Sequence, residues 1–289
     1  MKNEKITPAL LVSTCDSYKP LWEGFFESFL THFNYELEMF MTGTGTHFFR
    51  TKRVLGISRK YSNSDFSKRI LVALRNIKSQ YLLFMLDDFY LLSDVDTCIF
   101  NNAVDVIRED KNVGVIILHD EISHKCYMED DYNEHFVTLK KSAPYRITTQ
   151  AALWRKSFFK KVLRKGESPW QFEYLASYRS RRYKEKVLYR KDKLYSLFDY
   201  PHGGVFGDGQ IRPEYLNLVS GDKKIIEFSY TYKRRQRPSL PVIRGLLNFQ
   251  ISIYPILSIY LKFVKKRFDY IPKKVCIEND TSTAIYLKK

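Results

Sequence analysis

Short apolar stretches alternate with amphipathic stretches over the first part of the chain. The apolar stretches predict buried strands at residues 9–13, 37–42, 81–86 and 113–118. Between them, apolar side chains at helical spacing predict helices at residues 20–33, 65–78 and 97–108. Strands that alternate with helices of this length predict an α/β fold, in which helices flank a mostly parallel sheet.

The pattern changes after residue 118. Residues 120–140 are polar and predict a long loop or a hairpin region. A half-buried strand is predicted at 145–154, and a short helix at 156–164. Residues 240–264 are mostly apolar, but charged and polar residues interrupt them, which favours an amphipathic helical pair over a membrane-spanning helix.

The predicted strand at 81–86 runs directly into Asp87 and Asp88. Open α/β sheets bind their ligands in the crevice outside the carboxyl ends of the strands. Two acids beside a dry strand repel each other unless a positive group lies between them, which favours a cation or ligand site here. The structural alternative is that Asp88 caps a turn while Asp87 is solvated.

A second candidate stretch combines acidic, aromatic and helix-starting residues at 166–173. Ser168 as a cap and Pro169 in the first turn are ordinary features of a helix start. The functional interpretation makes Glu173 or Glu167 a general base, with Trp170 as an aromatic platform for a sugar.

Two loops offer weaker signals. Asp16 or Ser17 follows the first strand and could act only as a helix cap. His202 lies in a glycine-rich loop over residues 200–209, where it could reach a metal or a phosphate, although such a loop is often only a turn. A zinc site among the histidines and cysteine of residues 119–135 is disfavoured, because their spacing matches no ligand pattern.

The formal charge of +16 predicts attraction to polyanions, nucleotide phosphates or anionic membranes. Residues 178–193 are densely basic with interleaved tyrosines, which is typical of a solvated face, and no nucleic-acid-binding module surrounds them. The four cysteines are scattered, and the N-terminus does not have the form of a secretory signal. We therefore expect a cytoplasmic protein with reduced thiols.

The order of these motifs resembles that of the nucleotide-sugar glycosyltransferases of the GT-A fold, in particular the family 2-like bacterial enzymes. The resemblance covers about residues 9–209 and rests on Ser13-Thr14-Cys15-Asp16-Ser17, Leu86-Asp87-Asp88-Phe89, residues 149–154 and residues 168–173. It implies a GT-A domain over residues 1–230, followed by a basic, amphipathic helical C-terminal region over 231–289.

The resemblance also implies a donor site. The residues that would cradle the nucleotide base and ribose are Thr14, Cys15, Asp16 and Ser17. Asp65 and Arg69 would lie near the base or the diphosphate. Asp87 and Asp88 would stand for the Asp-x-Asp motif, which holds the ribose and a divalent cation, Mn²⁺ or Mg²⁺. Phe89 occupies the position where a metal-binding Asp is usual, which leaves Asp88, with His202, as the candidate metal ligands.

The activity that the resemblance implies is transfer of a sugar from a nucleotide-diphosphate sugar, with inversion. The acceptor would be a glycan or a lipid-linked saccharide in the biosynthesis of bacterial capsule or lipopolysaccharide. Glu173, or alternatively Glu167, would be the catalytic base, and Trp170 would bind the acceptor. We expect peripheral contact with the inner face of the membrane through residues 240–267, and no nucleic-acid partner.

Two other functions fit parts of the sequence. The charge and the basic run favour a binding protein for nucleic acid or anionic membrane. The acids at a strand end are also compatible with a nucleotidyltransferase on an α/β sheet.

Overall fold

The structure is a computed structural model that describes residues 7–44, 54–58, 65–119, 127–191, 197–207 and 210–215. The side chains of Asp16, Ser17, residues 54–58, Gly207 and Gln210 are outside this description. The predicted domain boundary at residue 230, the C-terminal region 231–289 and the membrane-contact segment 240–267 also lie outside the described residues.

One half of the main sheet is parallel. Its strands are β1 (Ala9–Ser13), β2 (Glu38–Gly43), β3 (Val54–Ser58) and β4 (Tyr81–Leu86). Strand β1 pairs in parallel with both β2 and β4, and β2 pairs with β3. Helices α1 (Trp22–His32) and α2 (Phe66–Asn76) lie between these strands along the chain. Helix α3 (Thr97–Glu109) follows β4. A 3-10 helix at Asp16–Leu21 leads into α1.

The second half of the sheet is mixed. Its strands are β5 (Val113–Ile117), β6 (Met128–Asp131), β7 (Phe136–Leu139), β8 (Ala152–Arg155) and β9 (Lys186–Arg190). Its helices are α4 (Lys156–Val162) and α5 (Pro169–Ser180). A small hairpin, β10 (Phe206–Gly207) with β11 (Gln210–Ile211), precedes a 3-10 turn at Pro213–Tyr215. The nine strands of the main sheet have the order β3-β2-β1-β4-β8-β5-β9-β7-β6.

The predicted α/β class is confirmed, but strand β8 changes the direction of the sheet at its centre. It pairs antiparallel with both β4 and β5. A parallel connection requires a crossover, usually a helix, whereas the described chain between β5 and β8 contains only the hairpin β6–β7. The chain therefore enters β8 at the edge where β5 ends, and β4 and β5 run parallel to each other on either side of it.

Two predictions are corrected in this half. The predicted strand 145–154 is regular only from Ala152 onward, because residues 145–151 form turns and bends that hydrogen-bond to α5. The basic run 178–193 is not simply a solvated face. It contains β9, whose Val187, Leu188 and Tyr189 are buried, since three consecutive large side chains between cations suffice for a central strand.

The sheet is covered on both faces. Helices α1 and α3 pack on one face, where Phe25, Phe29 and Phe100 are fully buried. Helices α2, α4 and α5 cover the other, where Phe66 and Phe159 are fully buried. No helix in the described part of the chain is both long and apolar enough to cross a membrane.

The helix-start predictions are confirmed in part. Ser168 accepts a hydrogen bond from the Gln171 backbone N–H, and the Gln171 side chain accepts one from the Ser168 backbone N–H, which is a capping box with Pro169 in the first turn. Asp65 occupies the N-cap position of α2, but its side chain makes no capping hydrogen bond. The capping box fixes where α5 begins relative to the sheet edge.

Candidate functional site

The carboxyl ends of β1, β4 and β5 meet at one edge of the sheet, where the candidate site lies. Thr14 follows β1, Asp87 and Asp88 follow β4, and His119 follows β5. Because β8 runs in the opposite direction, Gln150, which precedes it, reaches the same edge. Five polar side chains from four segments are thus brought together at this edge.

Asp87 is buried beneath two neutral hydrogen-bond donors. The Thr14 hydroxyl donates to Asp87 Oδ2. The indole Nε1 of Trp22 lies 3.1 Å from the same oxygen and 2.7 Å from Thr14 Oγ1. Trp22 is the first residue of α1, so this cluster ties the helix to the ends of β1 and β4.

Arg69 lies behind this cluster and is 4% exposed. Its Nη1 donates to the backbone carbonyls of Thr14 at 2.5 Å and Thr42 at 3.2 Å, which joins the carboxyl ends of β1 and β2. The predicted contact of Arg69 with a sugar nucleotide stays a prediction. In the structure, the Arg69 guanidinium holds the backbone at Thr14, in the loop predicted to bind the nucleotide.

Both acids of the pair are shifted toward the protonated form. Burial raises the pKa of Asp87 to about 7, against the opposing effects of Thr14, Trp22 and Arg69. Burial and then the neighbouring charge of Asp87 raise the pKa of Asp88 well above its usual range. The alternative in which Asp87 is solvated beside a turn does not fit, because its side chain is buried. A positive charge placed beside the pair would stabilise the ionised form of both carboxylates.

A glycine turn packs directly on Asp88. Gly204 has φ +83°, and a Cβ placed on it would lie 2.2 Å from Asp88 Oδ2, so only glycine fits without displacing the carboxylate. The backbone N–H of Val205 donates to the Asp88 carbonyl at 2.9 Å. Arg212 holds the turn from outside by donating to the carbonyls of His202 at 2.6 Å and Gly203 at 3.3 Å.

Three aromatic rings stack behind the turn. Tyr200 lies between Phe89 and His119, with ring centroids 4.3 Å and 3.9 Å away. His119 Nδ1 lies 3.0 Å from the Phe198 carbonyl and acts as the donor there. The exposed ring of His202 lies nearly parallel to that of His119 at 6.1 Å. Phe89, which occupies the position where a metal-binding Asp is usual, is thus a packing residue.

Tyr200 stacks on Phe89, the residue after Asp88, and also hydrogen-bonds to the segment that precedes β8. Its hydroxyl donates to Gln150 Oε1 at 2.9 Å and accepts from the Ala151 N–H at 2.8 Å. The adjacent residues hold Glu173, whose Oε1 accepts from the Thr149 N–H at 2.7 Å, the Thr149 hydroxyl at 2.8 Å and the Thr148 hydroxyl at 3.1 Å. Burial raises the pKa of Glu173, and these donors oppose the rise.

Glu167 has a different environment. Both of its oxygens accept from the Arg179 guanidinium, at 2.5 Å and 2.8 Å, and both side chains are buried. Arg179 also donates to the Val162 carbonyl at 2.6 Å. Burial raises the pKa of Glu167, and Arg179 opposes that rise. This ion pair gives Glu167 a structural role in joining α5 to the end of α4, and its catalytic role stays a prediction.

Some of the remaining predicted residues lie at the surface of the site, and the side chains of the others are outside the described part of the chain. Cys15 is half-buried, and its carbonyl accepts from the Tyr18 N–H at 2.8 Å. The side chains of Asp16 and Ser17 are outside the described set. Trp170 is 46% exposed on α5, and its contact with an acceptor stays a prediction.

Sequence reasoning did not assign five residues that shape this edge. They are Trp22, His119, Gln150, Tyr200 and Arg212. Gln150 was the easiest of them to find from the sequence, since it belongs to one of the motifs that carry the family resemblance. His119 directly follows the predicted strand 113–118, and Tyr200 begins the glycine-rich loop 200–209, but no local pattern gives either of them a role at this edge.

The residues present suit a divalent cation that also binds phosphate. No group of three or more His, Cys, Asp or Glu side chains placed to hold a metal occurs in the described residues. Mg²⁺ commonly binds through one or two carboxylates together with substrate phosphates and water. The two adjacent acids at the end of β4 are compatible with that mode, and the assignment of Asp88 as the ligand stays a prediction.

No protein-family profile matches the sequence, and no curated protein matches it. Solved structures resemble the fold. A fragment of S. aureus TarS in complex with UDP shares 13% identity and a TM-score of 0.46, over 65% of this chain and 59% of that one. The same TarS fragment is also known in complex with UDP-GlcNAc. The chain thus spans 59% of the length of that TarS fragment.

Two further structures come from other proteins. A cytidylyltransferase from Leptospira borgpetersenii shares 12% identity and a TM-score of 0.40, over 78% of this chain and 97% of that one. An active-site mutant of LgtC shares 9% identity and a TM-score of 0.36, over 83% of each chain. At these identities the likeness concerns the α/β fold alone.

Proposed function

We propose that this chain is a nucleotide-sugar glycosyltransferase that transfers a sugar, with inversion, to a glycan or lipid-linked acceptor. The observation that carries the proposal is the meeting of the Asp87–Asp88 pair and the Thr14 loop at the sheet edge from which Gln150 enters β8. Glu173 is held beside this edge by Thr149, the residue before Gln150. We further propose a role in the biosynthesis of bacterial surface polysaccharide.

The donor diphosphate would lie against Asp88 and the Gly203–Gly204 turn. Asp88, with His202 nearby on the exposed side of that turn, would hold Mn²⁺ or Mg²⁺. A bound cation would neutralise the leaving diphosphate. Arg212, which already contributes a positive charge near Asp88, would add to that neutralisation.

Glu173 would act as the base. Within the described residues all of its hydrogen bonds go to Oε1, which leaves Oε2 to accept a proton from the acceptor hydroxyl. As that proton moves to Oε2, the acceptor oxygen bonds to the anomeric carbon and the bond from this carbon to the diphosphate breaks. The raised pKa of Glu173 favours its taking up the proton.

A thermal-shift panel of UDP-, GDP-, dTDP- and CMP-sugars, with and without Mn²⁺, tests the donor site. A donor at 100 times its dissociation constant should stabilise the protein by about 2.7 kcal/mol. Asp88→Asn should lose the Mn²⁺-dependent part of that gain. Asp105→Asn, which changes an exposed acid on α3, should keep it.

Two results would contradict the proposal. Stabilisation by nucleoside triphosphates but by no nucleotide sugar would favour a nucleotidyltransferase. If no nucleotide sugar shifts the melting temperature while a nucleic acid binds equally well to the wild type and to Asp88→Asn, the chain is a basic binding protein instead.

A further inference from the structure

The outer face of α5 carries a row of aromatic side chains. Trp170, Tyr174 and Tyr178 are spaced four residues apart and therefore lie on one side of the helix. Trp170 is 46% exposed and both tyrosines are half-buried, whereas Phe172 and Ala176 on the inner side are fully buried. At 1.5 Å per residue this aromatic row extends over about 12 Å.

Tyr145 fixes the middle of the aromatic row. Its φ of +49° is a left-handed conformation, which is an outlier for a bulky side chain and persists only where the surroundings hold it. Its ring centroid lies 5.0 Å from that of Tyr174, and the two hydroxyls are hydrogen-bonded. Tyr174 is thereby held in one orientation at the surface.

Charge is distributed unevenly along the aromatic row. Glu173, the proposed base, directly precedes Tyr174, which forms the middle of the row. At the far end, the Arg181 and Arg182 guanidinium carbons lie 5.4 Å and 6.0 Å from the Tyr178 ring centroid. Within the described residues neither arginine forms an ion pair.

A buried cation strengthens the positive end. Arg146 is 1% exposed and donates to the Ser180 hydroxyl at 3.0 Å and the Glu185 carbonyl at 3.2 Å, neither of which is a carboxylate. Burial lowers the pKa of Arg146 to about 10; the charge of Glu129 opposes that shift, the charge of Arg181 adds to it, and the charge of Glu185 also opposes it. The end of α5 therefore carries positive charge that the described residues only partly balance.

We propose that the aromatic row binds the acceptor, and that this acceptor is an oligosaccharide carrying an acidic group at a distance from its reacting hydroxyl. The proposal rests on the proposed function. The hydroxyl would lie at Glu173, sugar rings would pack on the flat faces of Trp170 and Tyr174, and the acidic group would pair with Arg181 and Arg182. A row of about 12 Å exceeds the size of one sugar ring.

An anionic membrane is a less suitable occupant of this face. Membrane-surface binding requires several apolar side chains to enter the lipid, and among the described residues the exposed large apolar side chains are Trp170 and Leu92. The tyrosines of the row are half-buried, and half-buried aromatic rings suit packing against a sugar better than insertion into lipid.

Tryptophan fluorescence provides a local readout. The chain has three tryptophans, of which Trp22 and Trp154 are 2% and 0% exposed, so Trp170 reports on the aromatic row. Titration of the full chain with a chondroitin sulfate hexasaccharide should change this fluorescence saturably. Arg181→Gln/Arg182→Gln should weaken that binding about tenfold, which corresponds to about 1.4 kcal/mol.

Matched variants test the location and the chemistry. Lys160→Gln/Lys165→Gln removes two exposed cations that lie outside α5 and should leave the affinity unchanged. Tyr174→Ala should weaken binding of both the sulfated hexasaccharide and neutral maltohexaose. Equal loss in both charge variants, no change in fluorescence, or tighter binding of an RNA oligonucleotide at the same residues would overturn the proposal.

The donor measurement separates this inference from the proposed function. Arg181→Gln/Arg182→Gln should retain the full thermal shift given by the nucleotide sugar and Mn²⁺. If the hexasaccharide fails to bind while the donor shift persists, only the acceptor inference is wrong. If the hexasaccharide binds to the row but no nucleotide sugar stabilises the protein, the proposed function is wrong.

Discussion

Glu167 and Glu173 lie six residues apart in one motif, yet their surroundings differ. Glu167 is paired with the Arg179 guanidinium through both of its oxygens. Among the described residues, the partners from which Glu173 accepts are the neutral groups of Thr148 and Thr149. A buried carboxylate that is paired with a cation stays ionised and stabilises the fold. A carboxylate that is held by neutral donors at the edge of the sheet can take up a proton.

The Asp87–Asp88 pair belongs with Glu173 in this comparison. Asp87 accepts from the neutral Thr14 and Trp22 groups, while the nearby Arg69 donates to backbone carbonyls. Within the described residues Asp87 forms no ion pair, and a buried acid of this kind is costly for the fold, which favours a functional role. The predictions that follow test this division between structural and functional acids.

The largest effect on stability is expected for Glu167→Gln. The variant leaves the buried Arg179 without a counter-charge, and removing one partner of a buried pair typically costs about 3–5 kcal/mol. Urea unfolding measures this loss. The double variant Glu167→Ala/Arg179→Ala should lose less than the sum of the single variants. A stable Glu167→Gln variant without turnover would instead make Glu167 the base.

Glu173→Gln should have the opposite profile. The amide oxygen can still accept from Thr149, so the free energy of unfolding should change little. Loss of a general base should lower turnover by roughly 10²–10⁴-fold. Release of nucleoside diphosphate from the donor identified by thermal shift measures turnover, with the exposed Glu109→Gln as control. If Glu173→Gln keeps wild-type turnover, Glu173 is not the catalytic base.

Gly204→Ala should weaken donor binding about tenfold or more, because the added methyl would displace the Asp88 carboxylate. Gly166→Ala is the matched control. Gly166 also has a positive φ, of +82°, but it precedes α5 and is not part of the turn that packs on Asp88. Each variant should lose about 1 kcal/mol of stability for its positive φ, and Gly204→Ala should lose more because its Cβ also meets the Asp88 side chain. Equal losses of donor affinity in the two variants would mean that Asp88 is not the point of contact.

The pH dependence of stability tests Asp87. Its pKa is raised to about 7 in the folded protein, so between about pH 4 and pH 7 the folded state holds a proton that the unfolded state has lost. Stability should therefore fall as the pH rises through this range, by up to roughly 1.4 kcal/mol per pH unit, and level off above it. Urea unfolding of the wild type compared with Asp87→Asn measures this slope, which the variant should largely lack. A flat difference between the two would show that Asp87 is ionised throughout.

Local elements were well predicted from the sequence. The predicted strand at 81–86 matches β4, and the helices predicted at 65–78 and 97–108 differ from α2 and α3 by one or two residues at their ends. The Ser168 cap and Pro169 were also correct. These features depend on residues within one or two helical turns of each other, so the local pattern contains them.

The sequence by itself therefore determined the alternation of strands and helices, the position of two acids after a buried strand, and the charge of the chain. Only the tertiary structure decided which acids share an environment. Trp22 reaches Asp87 across 65 residues and Tyr200 reaches Gln150 across 50, while Arg179 pairs with Glu167 across 12. Such contacts arise because strand order and helix packing bring distant segments to one edge, and no short-range pattern specifies that order.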